Sequence, residues 1–166
     1  MTSKSAESGK KSSLIGARLG DYEITDRMAS GGMASIYRGV DVNLGRHAAI
    51  KVLTQEMLET DETLTKRFKL EAKAVAAMEH DNIIRIYQYG EQEDLSLYFI
   101  AMKLVEGQDL ADVLNDLKKQ GKLMKPRRMI ALLKQVAAAL DFAHQHDIIH
   151  RDVKPSNILL DSEDKA

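Results

Sequence analysis

Eight consecutive residues, His150-Arg151-Asp152-Val153-Lys154-Pro155-Ser156-Asn157, carry the densest chemistry in this chain. A serine or threonine hydroxyl is a poor nucleophile at neutral pH, and a positioned carboxylate such as Asp152 can take its proton. Lys154, two residues on, can balance negative charge on a phosphoryl group. Asn157 offers a hard carbonyl oxygen of the kind Mg²⁺ accepts. The three together suit phosphoryl transfer. A polar helix-to-strand loop would also use Asp, Ser and Asn, to make its turns. The ordered spacing, with Ile148-Ile149 before it and Ile158-Leu159-Leu160 after it, favours a site.

Phosphate also needs a cradle. The stretch Met28-Ala29-Ser30-Gly31-Gly32-Met33-Ala34-Ser35-Ile36 joins two strand-like runs. A turn that covers phosphate brings backbone N–H groups close to its oxygens, which favours residues without bulky Cβ substituents. Gly31 and Gly32 meet that need, although a Gly-Gly hairpin alone is more often just a turn. Lys51 ends the apolar run Ala48-Ala49-Ile50 and would be buried without compensation for its charge. Glu71 interrupts an apolar helical face formed by Phe68, Ala72 and Val75. In isolation, Lys51 would snorkel and Glu71 would face water. Beside the other motifs, a Lys51–Glu71 ion pair that orients phosphate is the better reading.

Two kinds of element must position these groups. From Asp21 to Leu53 the pattern is strand-like: Tyr22-Glu23-Ile24, Ile36 to Val40, and His47 to Leu53. Thr60-Asp61-Glu62 supplies a helix cap and an acidic first turn, and apolar residues then recur from Leu64 to Met78. Ile83–Tyr89 and Leu97–Leu104 read as further strands. Three or more strands ahead of one helix imply an antiparallel sheet with the helix laid on it. After Gly107 the chain turns helical. Leu110, Val113, Leu114 and Leu117 mark a short helix that stops near Gly121. Pro126 opens a longer one, with Ile130, Leu133, Val136, Ala137, Leu140 and Ala143 on one face. The expected fold class is α+β, divided into a polar, flexible tail (1–13), a β-rich lobe (14–105) and a helical lobe (106–166).

From about Leu19 onward the chain resembles the Ser/Thr protein kinases, and Gly-Gly-Met-Ala with Ile-Tyr-Arg-Gly looks most like their bacterial eukaryotic-type branch. Against the kinase loop pattern, Gly31 takes the second glycine position and Ile36 the valine, while Ala29 and Ala34 replace the first and third glycines. Lys154 matches the Ser/Thr rather than the tyrosine-specific pattern. The resemblance implies a complete antiparallel-sheet small lobe that binds ATP through residues 28–36, and an incomplete helical large lobe. It implies that Met102 is the gatekeeper and that Lys103, Leu104 and Val105 form the hinge that hydrogen-bonds adenine. Met28, Ile36, Ala49 and Leu159 would wall the purine pocket. Asp152 would be the base, Lys154 and Lys51 would manage phosphate charge, Glu71 would orient Lys51, and Asn157 would bind the Mg²⁺ that accompanies ATP. His150 would pack and hydrogen-bond, and Arg151 would pair with a phosphorylated activation loop.

No Asp-Phe-Gly or Ala-Pro-Glu occurs, and the polar segment Asp161 to Ala166 reads as a hairpin turn. The chain is therefore expected to be the front part of a longer catalytic domain and to transfer little phosphate alone. The face from Ile130 to Ala143 would be left exposed and prone to self-association. A non-catalytic nucleotide-binding or scaffold module is the alternative, and Lys154 argues against small-molecule phosphotransferases. The formal net charge of −1 gives no reason to expect nucleic acid or membrane contact. The absence of cysteine excludes disulfides and thiolate metal sites. Proteins bearing Ser or Thr are the implied substrates. The implied location is cytoplasmic, in some relatives as the cytoplasmic part of a membrane-anchored receptor kinase.

Overall fold

The computed structural model describes residues 14–30, 34–54, 70, 76 and 78–166. The N-terminal tail, Gly31, Gly32, Met33, Glu71 and most of the expected 60–78 helix lie outside the described residues. Six strands form one sheet: β1 (Arg18–Leu19), β2 (Tyr22–Ser30), β3 (Ser35–Asp41), β4 (His47–Thr54), β5 (Ile86–Gln92) and β6 (Leu97–Lys103). Their order is β1-β2-β3-β4-β6-β5, and every neighbouring pair is antiparallel.

Side chains alternate across a strand, so β4 divides its residues between two faces. Ala48, Ile50 and Val52 are fully buried on one face, packed with Leu19, Tyr22, Ile24, Tyr37, Leu97, Phe99 and Ala101. Ala49 and Lys51 take the other face, where they pair with Met102 and Ile100 of β6. Leu53 and Ile100 form a smaller cluster there with Ile86, Tyr89, Tyr98 and Met102.

Some strand boundaries differ from the pattern-based expectation. β5 begins at Ile86 rather than Ile83, because Asp81-Asn82 make a turn closed by the Ile83 amide on the His80 carbonyl. β6 ends at Lys103, which leaves Leu104 in the connection. Two-residue strands β1 and β7 (Gln108–Asp109) lie below the length at which alternation shows.

β7 pairs antiparallel with β8 (Leu159–Leu160) in a second, two-stranded sheet. Helix α1 (Leu110–Lys119) follows, and the Asp109 carboxylate caps it by accepting the Asp112 amide at 2.8 Å. Helix α2 (Pro126–Gln145) starts at a proline, whose missing N–H costs nothing in a first turn. Leu110, Met124, Leu132 and Leu160 make a third core between α1, α2 and β8.

The α2 face expected to be left without a partner layer is open over its first turns. Leu132 and Ala143 are buried, whereas Ile130 and Leu133 are 54% and 56% exposed. This helix is apolar on more than one side, so its period alone could not choose which side meets Met124 and Leu160. The last residues close as a turn: the Asp161 carboxylate accepts the amides of Glu163 and Lys165, both at 2.9 Å.

Candidate active site

The segment between α2 and β8 holds the polar constellation. Asp147 and Arg151 both adopt left-handed backbone, at φ of 59° and 63°, which makes two abrupt changes of direction. A single 3₁₀ turn, Pro155–Asn157, then brings Asn157 back toward Asp152. The Asn157 side-chain amide donates to both the Asp152 backbone carbonyl (2.8 Å) and its carboxylate Oδ2 (3.0 Å). Lys154 Nζ reaches the same Oδ2 at 2.8 Å. The Asp152 amide in turn donates to His150 Nδ1 at 3.3 Å.

Electrostatics follow from these contacts. The Lys154 ammonium, and after it the Asn157 amide, hold the Asp152 carboxyl below the ordinary aspartate range. Asp152 is exposed, so water screens the pair and its worth lies in position rather than in stability. Both donors converge on Oδ2, which leaves Oδ1 directed to other partners. With its NH₂ committed twice, Asn157 presents its carbonyl oxygen elsewhere, as a hard-metal ligand requires. Among the described residues, no group of three or more His, Cys, Asp or Glu side chains could hold a metal.

The sheet supplies the second group of candidates. Register places Ala29 opposite Ile36, Ile36 opposite Lys51, and Ala49 opposite Met102. Directly opposed residues share a face, so Ala29, Ile36, Ala49, Lys51 and Met102 line one side of the sheet. Met28 falls at a break in the β2–β3 register and is 46% exposed. Ser30 ends β2 opposite Ser35, and Ala34 lies just before β3. Lys103 is exposed, and its amide bonds the Arg85 carbonyl at 2.9 Å. Leu104 and Val105 are partly buried in the irregular link to β7. Leu159 pairs with Asp109, which ties the strand after the 3₁₀ turn to the strand after that link.

Some positioning residues gave no sequence signal. Asn82 donates to Gln135 of α2 at 3.1 Å and to the Ala166 carbonyl at 2.6 Å, which fastens the segment before β5 to α2. His80 stacks on Phe142, with ring centroids 5.2 Å apart. Gly107 touches the Leu160 backbone so closely that no side chain fits between them.

Residues 22–166 match the family model described as "Protein kinase domain". The chain belongs to the protein kinase family. Bacterial Ser/Thr protein kinases are among its relatives. It is 38% identical to serine/threonine-protein kinase PrkC of Bacillus subtilis over 149 residues, 89% of this chain and 22% of that protein. Serine/threonine-protein kinase PknL of Mycobacterium tuberculosis is 37% identical over 158 residues, 95% of this chain and 38% of PknL. The crystal structure of the M. tuberculosis PknI kinase domain superposes with a TM-score of 0.78 at 27% identity, covering 91% of this chain and 58% of that one. The fold is therefore kinase-like, with its small-lobe sheet and part of a helical large lobe. The chain spans between about a fifth and two fifths of the length of these curated relatives. No described helix is long and apolar enough to cross a membrane.

Proposed function

We propose that this kinase chain belongs to an enzyme that moves the γ-phosphoryl of ATP to Ser or Thr hydroxyls of proteins. The observation that supports it is the convergence of Lys154 and Asn157 on one oxygen of Asp152. Asp152 stays ionised at neutral pH, and its Oδ1 accepts the hydroxyl proton as the hydroxyl oxygen bonds to phosphorus and the bond to ADP breaks. Lys154 balances charge on the phosphoryl oxygens. Lys51, oriented by Glu71, holds the phosphates further back, beneath the 28–36 loop. Purine is walled by Met28, Ile36, Ala49 and Leu159, passes the gatekeeper Met102, and bonds the hinge formed by Lys103, Leu104 and Val105. Bound magnesium would supply neutralisation of the phosphates, and Asn157 Oδ1 would hold it.

The sequence contains no Asp-Phe-Gly, whose aspartate would be the second protein ligand for Mg²⁺, and this supports weak transfer by these 166 residues alone. A thermal-shift titration with ATP, paired with radiolabel transfer to casein, tests the reading. Mg²⁺-dependent stabilisation by ATP is expected, reduced in Lys51→Met, with transfer near background. Binding indifferent to Mg²⁺ would instead favour a scaffold module. No binding at all would overturn the nucleotide site, and strong transfer would overturn the weak-activity reading. In a form of the kinase that turns over, Asp152→Asn is expected to cost at least about 100-fold in rate while leaving ATP binding intact.

A further inference from the structure

From Leu117 to Leu140 the sequence has seven Lys or Arg residues and no Asp or Glu. The net charge of −1 conceals this asymmetry, because carboxylates elsewhere cancel it. Most of these cations crowd the connection between α1 and α2. Lys119 pairs with Asp116 at 2.9 Å, and Arg128 is held by both carboxylate oxygens of Asp164. Lys118, Lys122, Lys125 and Arg127 are exposed, and none forms an ion pair among the described residues.

In the midst of these four cations Leu123 is 92% exposed. Its position is held by the fold. The Gly121 and Lys122 amides bond the carbonyls of Lys118 and Leu117 at 3.0 and 2.9 Å, which fixes the end of α1. The next residue, Met124, is buried against Leu110, Leu132 and Leu160. The same anchoring that draws Met124 inward leaves Leu123 outside.

An acidic peptide or a nucleic acid would satisfy the cations but give Leu123 no reason to be there. A lipid surface satisfies both. Anionic headgroups attract Lys and Arg, the side-chain stems lie along the interface, and a leucine enters the acyl boundary. We propose that the α1–α2 connection docks on an anionic bilayer, with Leu123 inserted and Lys118, Lys122, Lys125 and Arg127 at the headgroup phosphates. This contact is peripheral and needs no membrane span. It is independent of the phosphoryl-transfer site.

Vesicle flotation with the 166-residue chain tests it, since aggregates sink while vesicle-bound protein rises. Vesicles of phosphatidylcholine alone are compared with vesicles mixed with phosphatidylglycerol. The chain is expected to float with the mixed vesicles only, and less so as salt is raised. Each cation near the surface contributes about fivefold, so Lys122→Gln with Lys125→Gln should weaken binding roughly 25-fold. Leu123→Gln should weaken it by about tenfold with no change in charge. All three side chains are exposed, so unchanged circular dichroism is expected in both variants. No flotation, equal flotation with neutral vesicles, or Leu123→Gln binding like the parent chain would overturn the proposal. Capture of a single-stranded oligonucleotide or a polyglutamate peptide in preference to mixed vesicles would also overturn it.

Discussion

Replacing Gly107 by alanine should unfasten the strand that follows the 3₁₀ turn of the candidate site. A Cβ built on Gly107 lies 1.7 Å from the Leu160 carbonyl oxygen and 2.9 Å from its carbon, and both are backbone atoms with no rotamer to yield. Non-bonded carbon contacts relax at about 3.5 Å, so β8 must retreat by more than about 1 Å. Such a retreat stretches ladder hydrogen bonds beyond useful range. Two lost bonds cost about 2 kcal/mol. Leu160 is only 3% exposed, and drawing it partly out of its cluster adds about 1 kcal/mol more. A loss of roughly 3 kcal/mol is a large part of a domain's usual stability. With a urea slope of about 2 kcal/mol per molar, the midpoint should fall by roughly 1.5 M. Gly121→Ala is the control. Nothing lies within 4 Å of its Cβ, and only its left-handed φ of 64° is penalised, at about 1 kcal/mol. Should Gly107→Ala melt with the parent chain, or be milder than Gly121→Ala, the close approach of these two backbones does not constrain the fold.

Three further outcomes are expected. In a form that turns over, Lys154→Met should move the acid limb of the rate–pH profile upward. Lys154 lowers the Asp152 pKa, so its loss lets protonation disable the base at higher pH, and an unmoved limb would contradict this. Leu132→Ala should cost about 2–5 kcal/mol in urea unfolding, whereas Leu133→Ala should cost under about 0.5 kcal/mol; similar losses would mean that α2 presents the other face. Asp109→Ala should destabilise by about 1 kcal/mol through loss of the α1 cap, and an unchanged urea midpoint would show that Asp109 does not stabilise the helix.

Much of the scaffold was legible because its signals are local. Strand β2 announced itself by alternation, β3 by following a Gly-Gly turn and β4 as an apolar run, and α1 and α2 by apolar spacing bounded by Gly121 and Pro126. The union of Asp152, Lys154 and Asn157 was legible for the same reason, since one short turn makes it. Contacts closed over long sequence separations were not. Nothing local in Gly107 points to Leu160, and nothing in Asn82 points to Gln135. The burial of Leu132 was not legible, because a helix apolar on several sides carries no preferred face until its neighbours are placed. Net charge conceals the cation cluster at the α1–α2 connection in a similar way, because it averages over the whole chain.

The division of β4 between a buried face and a lysine-bearing one makes this chain unequal in its tolerance of length changes. An extra residue in the turn between β3 and β4, where Leu44 is already 73% exposed, merely lengthens a surface loop. One residue inserted between Ala48 and Lys51 would exchange the faces of everything beyond it, driving the ammonium of Lys51 among Tyr22, Tyr37 and Phe99. Insertions and deletions that survive in descendants of this sequence should therefore gather at the hairpin tips and spare the strand between them.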